Sequence, residues 1–130
     1  MRYLKVVPFL VVLAVILFTG LRPEPIPQSF DQQDKLHHLL GFAAFAFTLR
    51  MAFPRWRLGW ALLLSLGTGL LIEVAQGYQP HRYASVGDML ANSLGVLLGV
   101  GCAELAHYCF RARPVAEDGA AGVEVPSEQT

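Results

Sequence analysis

Glu73-Val-Ala-Gln-Gly-Tyr-Gln-Pro-His-Arg-Tyr-Ala-Ser-Val-Gly-Asp-Met-Leu-Ala-Asn92 decides the fold, because this stretch places polar chemistry between two apolar runs. The run before it, 58–72, and the run after it, 93–103, contain no Asp, Glu, Lys, Arg or His. Where the stretch borders these two runs, its polar side chains are Glu73, Gln76, Asp88 and Asn92. Such groups are costly in an apolar environment, and their presence at the ends of hydrophobic segments indicates function.

The composition points to a membrane protein of one domain. A chain of 130 residues with 54% hydrophobic and 15% charged residues is too apolar for a soluble domain of this size. The formal net charge is zero and no basic patch is interleaved with aromatic residues, so no nucleic-acid partner is expected. The expected surroundings are membrane lipids.

Four apolar runs predict the fold class, an all-α membrane protein with four transmembrane helices in a compact bundle. The predicted spans are 4–21, 36–53, 58–76 and 86–110, each close to the roughly 20 residues that cross a bilayer core. The first run lacks an Ala-x-Ala cleavage pattern and is therefore predicted to stay attached. The membrane domain is predicted to cover 1–112. The acidic tail 113–130 has no apolar periodicity and is predicted to be disordered.

The distribution of basic residues predicts the orientation. Seven lie on one side of the four predicted spans, namely Arg2, Lys5, Arg50, Arg55, Arg57, Arg111 and Arg113. Three lie on the other side, namely Arg22, Lys35 and Arg82. Because basic residues beside short loops stay in the cytoplasm, both termini are predicted to be cytoplasmic in a multi-pass protein of the bacterial inner membrane.

This topology brings the start of the second helix, the end of the third and the start of the fourth to the extracytoplasmic side. Residues three or four apart share a helix face, as do Asp34 and His38, or Asp88 and Asn92. One polar cluster is therefore predicted. The candidate ligand-binding residues are Asp34, Lys35, His38, Glu73, Gln76, Arg82, Ser85, Asp88 and Asn92. Ser85 also suits the N-cap of the fourth helix.

Several roles for the cluster remain open. In a purely structural role, Lys35 and Arg82 neutralise the carboxylates and fix helix register. In an active role, the cluster binds or acts on an anionic lipid-linked or envelope ligand, with Arg82 as a rigid fork. His38, Glu73 and Asp88 are then the candidate acid and base groups, although no nucleophile identifies a reaction. A small proton-coupled transporter is a further alternative.

Metal binding by His38, Glu73, Asp88 and His81 is a further route. No local His-x-x-x-His or Glu-x-x-His pattern supports it, so no metal ion or other cofactor is predicted. Cys102 and Cys109 are interpreted as small apolar side chains, because two residues seven apart on one helix cannot form a disulfide. Gly95-Val-Leu-Leu-Gly99 is a Gly-x-x-x-Gly pattern that permits close helix packing. It predicts packing within the chain, or a homo-oligomer through the same face.

Three separated motifs occur along the chain in the same order as in one known family. They read Asp34-Lys35-x-x-His38, Glu73-x-x-Gln76 and Pro80-x-Arg82-x-x-Ser85-x-x-Asp88-x-x-x-Asn92-x-x-Gly95-x-x-x-Gly99. This arrangement resembles the VanZ-like family of small bacterial integral membrane proteins. The family is named for a member associated with resistance to the glycopeptide antibiotic teicoplanin. The resemblance implies a cell-envelope protein of the inner membrane that affects glycopeptide susceptibility.

Overall fold

The structure is a computed structural model that describes residues 3–112. Within this range the chain forms four α helices and no β strand. The helices are α1 (Tyr3–Gly20), α2 (Gln33–Ala52), α3 (Leu58–Gly77) and α4 (Val86–Arg111). The four predicted helices are therefore present. The tail 113–130, predicted to be disordered, lies outside the described residues.

Three of these helices, α1, α3 and α4, are long and apolar enough to cross a membrane. α2 does not meet this criterion, because Asp34 and Lys35 lie near its start and Arg50 lies near its end. The all-helical fold with three such helices supports a membrane protein. The fourth span and the orientation of the termini stay predictions.

α2 is the central helix of the bundle, and it packs against α1, α3 and most extensively α4. Glycines allow this closest approach, because a Cβ atom at Gly95 would clash with the Leu39 carbonyl oxygen. A Cβ atom at Gly99 would clash in the same way with the Ala43 carbonyl oxygen. The Gly-x-x-x-Gly face is thus occupied by α2 of the same chain. The homo-oligomer stays a prediction, and it would need a different face.

The apolar core is formed by residues from all four helices. Phe42 and Phe45 of α2 are 2% and 3% exposed, and they pack with Ile72 of α3 and Val96 of α4. Phe9 of α1 stacks on Phe45 with 5.6 Å between ring centroids. Large leucines on the outer helix faces remain exposed, as expected for a bundle whose solvent is lipid.

The ends of α1 and α3 meet the starts of α2 and α4 at one end of the bundle, here called the cluster end. Gln76 Nε2 donates a hydrogen bond to the Gly20 carbonyl oxygen at 2.9 Å. Gln79 Nε2 donates to the Leu21 carbonyl oxygen at 3.0 Å. These bonds join the end of α3 to the end of α1, so the polar segment 73–92 lies at the cluster end.

Candidate functional site

At the cluster end, three ionisable side chains from three different helices lie close together. His38 lies near the start of α2, Glu73 near the end of α3 and Asp88 in the first turn of α4. Each is within about two helical turns, roughly 11 Å, of its helix end. One ring nitrogen of His38 and one carboxylate oxygen of each acid all lie within 4.8 Å of one another. These three residues are called the three-helix cluster below.

Asn92 and Ser85 hold the three-helix cluster in place. Asn92 Oδ1 lies 2.9 Å from His38 Nδ1, and this hydrogen bond orients the imidazole ring. The Ser85 backbone N–H donates to Glu73 Oε2 at 3.1 Å. The Asp88 backbone N–H donates to Ser85 Oγ at 3.3 Å, which confirms Ser85 as the N-cap of α4. The structure therefore brings together five of the nine predicted site residues.

The carboxylates of the cluster are buried and only partly hydrogen-bonded. Glu73 is 2% exposed and Asp88 is 6% exposed. Among the described residues, Glu73 Oε1, Asp88 Oδ1 and Asn92 Nδ2 have no hydrogen-bond partner. Glu73 Oε1 lies 3.7 Å from His38 Nδ1, so this oxygen faces the cluster. Buried polar atoms without partners are costly, and they are available to a bound group.

The other four predicted residues form their contacts outside this group of five, although Asp34, Gln76 and Arg82 line the cavity beside it. Gln76 binds the end of α1, as described above, and Asp34 Oδ1 accepts a hydrogen bond from Gln28 Nε2 at 3.1 Å. Arg82 Nη2 donates to the Glu24 carbonyl oxygen at 3.5 Å. The Lys35 side chain lies beside Gly87 in the first turn of α4.

The expected neutralisation of the carboxylates by Lys35 and Arg82 is not seen as ion pairs. In the described range, the ion pairs join His38 to Glu73 and Arg50 to Glu104. The prediction that Arg82 pairs with Glu73 or Asp88 is therefore wrong. The physical reason is that the 78–85 loop directs the guanidinium toward the preceding 21–32 loop, away from the helix ends.

A cavity of about 570 Å³ opens beside the three-helix cluster. Its polar lining includes Asp34, His37, His38, His81, Arg82 and Asp88. Its apolar lining includes Val15, Ile16, Ile26, Leu40, Phe42 and Ile72. The cavity thus has one polar region and one apolar wall, and both belong to the same continuous space.

The sequence of this region matches a family model described as VanZ/LLP1 over residues 3–107. The chain belongs to the VanZ/LLP1 family. The resemblance to VanZ-like proteins is confirmed, and the match spans every residue of the cluster and cavity. No curated protein and no solved structure gave a significant match.

The VanZ/LLP1 region also contains an ion pair between a buried arginine, Arg50, and a partly exposed acid, Glu104, at the opposite end of the bundle. Arg50 is 7% exposed, and its Nε donates to Glu104 Oε1 at 2.6 Å. Its Nη1 donates to the carbonyl oxygens of Phe53, Pro54 and Trp56 at 3.4, 3.3 and 3.1 Å. Sequence reasoning used Arg50 only as a positive charge for orientation. The available signal was Pro54, which ends α2 and leaves carbonyl groups to be satisfied.

The 21–32 loop of this VanZ/LLP1 chain is a second feature that sequence reasoning missed. Its alternating prolines, Pro23, Pro25 and Pro27, predict an extended connection that faces solvent. Most of the loop is exposed, and Pro25, Ile26 and Gln28 also lie in the wall of the cavity. Ile26, an apolar residue between prolines, was the one signal in the sequence that this loop packs on the bundle.

Proposed function

We propose that this chain is a multi-pass protein of the bacterial inner membrane that binds an amphipathic, anionic lipid-linked or envelope ligand. The observation that carries the proposal is the division of one cavity into an apolar wall and a polar region. An acyl or isoprenoid chain suits the apolar wall, and a head group suits the polar region. The volume of about 570 Å³ lies within the range of roughly 300 to 1,000 Å³ for small-molecule sites.

The apolar wall continues to the outer surface of the bundle. Val15 of α1 and Leu40 of α2 both line the cavity, and they are 55% and 53% exposed. Because outward-facing leucines and valines of this bundle contact lipid, a ligand chain can remain partly in the bilayer while its head group occupies the cavity. This lateral opening favours a membrane-resident ligand over a freely soluble one.

Arg82 is the group that selects an anionic head group in this proposal. Its guanidinium forms one long bond to the Glu24 carbonyl, and Arg82 Nε is buried without a partner in the described structure. Arg82 is not engaged by a carboxylate, so its planar set of donors is available to a phosphate or carboxylate. His81 and His37 line the same polar region of the cavity.

Arg82→Lys tests this proposal, because lysine keeps the charge and loses the two-pronged geometry. The purified variant should fold with unchanged thermal stability and bind fluorescent phosphatidylglycerol about tenfold more weakly than the unmodified chain, a change of about 1.4 kcal/mol. Arg57→Lys, an exposed arginine at the other end of the bundle, is the matched control. Phosphatidylcholine is the zwitterionic comparison. Equal phosphatidylglycerol binding by both variants would argue against the proposal that the Arg82 guanidinium binds the head group through two donors.

Membership of the VanZ/LLP1 family supports a second element of the proposal, an effect on teicoplanin susceptibility. Cells expressing the chain should differ in teicoplanin susceptibility from cells carrying an empty vector. Arg82→Lys should reduce that difference at equal expression. An unchanged susceptibility for the expressing strain would remove this element while leaving lipid binding open to the first test.

Catalysis on the bound ligand is a second candidate function, favoured by the hydrogen bond that orients His38. A fixed imidazole beside two carboxylates is an arrangement suited to proton transfer. Asn92→Ala would release the ring without removing a titratable group. If the cluster only fixes helix packing, this change should alter stability alone; if it transfers protons, turnover of the ligand should fall more than its binding.

A further inference from the structure

In the described range no lysine or arginine forms an ion pair with the carboxylates of the three-helix cluster, and His38 is the basic group beside Glu73. Arg50 pairs with Glu104 and Arg82 binds a backbone carbonyl, while no ion pair from Lys35 occurs in the described range. The two acids are nevertheless almost completely buried. Two adjacent buried carboxylates repel each other unless protons or a cation compensate their charge.

One oxygen of each acid has no hydrogen-bond partner in the described structure, and Glu73 is fixed through its other oxygen. Glu73 Oε2 accepts the Ser85 N–H, while Glu73 Oε1 lies 3.7 Å from His38 Nδ1 without a hydrogen bond. Asp88 Oδ1 is also buried without a hydrogen bond. These two oxygens and a ring nitrogen of His38 supply three candidate metal-ligand atoms.

The surroundings of these side chains match those of metal ligands. A metal-binding histidine usually donates its other ring N–H to an outer residue, and ligating carboxylates are in turn hydrogen-bonded. His38 Nδ1 donates to Asn92 Oδ1 at 2.9 Å, which leaves Nε2 as the ring nitrogen for a metal ion, and the Ser85 N–H donates to Glu73 Oε2 at 3.1 Å. Asn92 and the Ser85 backbone N–H are not themselves among the candidate ligands.

The spacing of the three ligand atoms is close to that of a metal centre. Bonds of about 2.1 Å in a tetrahedral site place ligand atoms roughly 3.4 Å apart. The three candidate atoms lie within 4.8 Å of one another, so side-chain rotations that close each gap by at most about 1.4 Å complete the geometry. The backbone positions are already fixed by helices.

We propose that His38, Glu73 and Asp88 bind a divalent first-row transition-metal ion, with Zn²⁺ as the best fit. Imidazole favours transition metals over Mg²⁺ and Ca²⁺, and mixed nitrogen and oxygen ligands suit Zn²⁺. Three protein ligands leave a fourth coordination position open. Because His38 and Asp88 line the cavity, that position faces the space where a ligand head group would lie. The metal site does not depend on which ligand occupies the cavity.

The test uses the full chain without a histidine tag, purified in detergent and stripped with a chelator. Cys102 and Cys109 are exposed and are first changed to serine, so that thiols do not contribute metal binding. After dialysis against Zn²⁺, elemental analysis should find about one Zn²⁺ per chain. Asp88→Asn should weaken Zn²⁺ binding by at least about 100-fold, because removing a ligand exceeds the 10- to 100-fold cost of outer-shell changes.

Asp31→Asn, an exposed acid before α2, is the matched control and should bind Zn²⁺ as the parent chain does. Co²⁺ provides a measurement that needs no variant: the parent chain should give the intense visible absorption of a four- or five-coordinate site. Three results would overturn the proposal. They are absence of bound Zn²⁺, equal binding by Asp88→Asn and Asp31→Asn, or a Co²⁺ spectrum identical to that of the hydrated ion.

Discussion

The two carboxylate oxygens of Glu73 have different neighbours and different roles. Oε2 accepts the Ser85 N–H and so attaches the start of α4 to α3, while Oε1 faces His38. Glu73→Gln keeps an acceptor for Ser85 and removes a buried charge. We expect its thermal stability to equal or exceed that of the unmodified chain, with Zn²⁺ binding lost.

Glu73→Leu is the comparison, because it removes the acceptor and leaves the partly buried Ser85 N–H without a partner. We expect it to destabilise the chain by about 1 to 3 kcal/mol relative to Glu73→Gln. Thermal unfolding in detergent measures both variants. Equal melting temperatures for the two would show that the Ser85 bond contributes nothing to the attachment of α4.

Arg50 forms a capping site at the end of the bundle opposite the cluster. One guanidinium reaches Glu104 and three backbone carbonyls, which a lysine ammonium cannot reproduce in one position. We expect Arg50→Lys to lower the free energy of unfolding by about 1 to 3 kcal/mol. Arg55→Lys, an exposed arginine in the adjacent turn, should have no effect. Equal stability of both variants in denaturant titrations would argue against the capping role.

The convergence of His38, Glu73, Asp88 and Asn92 was predictable, because hydrophobic run lengths determine which helix ends meet. The partners of Arg82 were not predictable in this way. Its direction depends on the backbone of a short loop, for which Pro80 gives only one constraint. Arg50 and Glu104 are 54 residues apart on different helices, so no local spacing relates them. Metal binding by His38, Glu73 and Asp88 was not predicted for the same reason, because each helix contributes one of these residues and no local spacing relates them.

At the level of helices, the apolar runs located the four segments, and Ser85 located the start of α4. The role of Gly95 and Gly99 could be narrowed to close packing but not assigned to a partner helix. That assignment needed the three-dimensional positions of Leu39 and Ala43. A sequence pattern indicates that the side chains on one helix face are small. The three-dimensional packing is needed to identify the element that covers this face.

The close contact between α2 and α4 predicts how substitution of Gly95 changes the stability of the bundle. Gly95→Ala should destabilise the bundle by about 1 to 3 kcal/mol, because its methyl group would clash with the Leu39 carbonyl oxygen. Gly101 lies on the same helix, and a Cβ atom there would meet no atom within 4 Å. Gly101→Ala should therefore be neutral or stabilising by up to about 1 kcal/mol. Chemical unfolding should rank the two variants in this order; the reverse order would contradict the packing.

For the whole molecule, the seven-to-three asymmetry of basic residues predicts which end of the bundle faces outward. In a chain lacking Cys102 and Cys109, a cysteine at Gln79 marks the cluster end and a cysteine at Arg57 marks the other. A membrane-impermeant maleimide should label the Gln79→Cys variant in intact spheroplasts. The Arg57→Cys variant should react only after permeabilisation. The opposite pattern would place the cavity and the cluster on the cytoplasmic side.

The central position of α2 has a consequence for biogenesis. α2 is the least suited of the four helices to enter a bilayer alone, since it carries Asp34, Lys35, Arg50 and two histidines. Its partner across the closest contact, α4, is synthesised last. As the predicted fourth span, α2 therefore depends for stable integration on α4 residues that are synthesised much later, such as Glu104, which lies 54 positions after its partner Arg50, and a nascent chain that ends within α3 should be a substrate for membrane proteases.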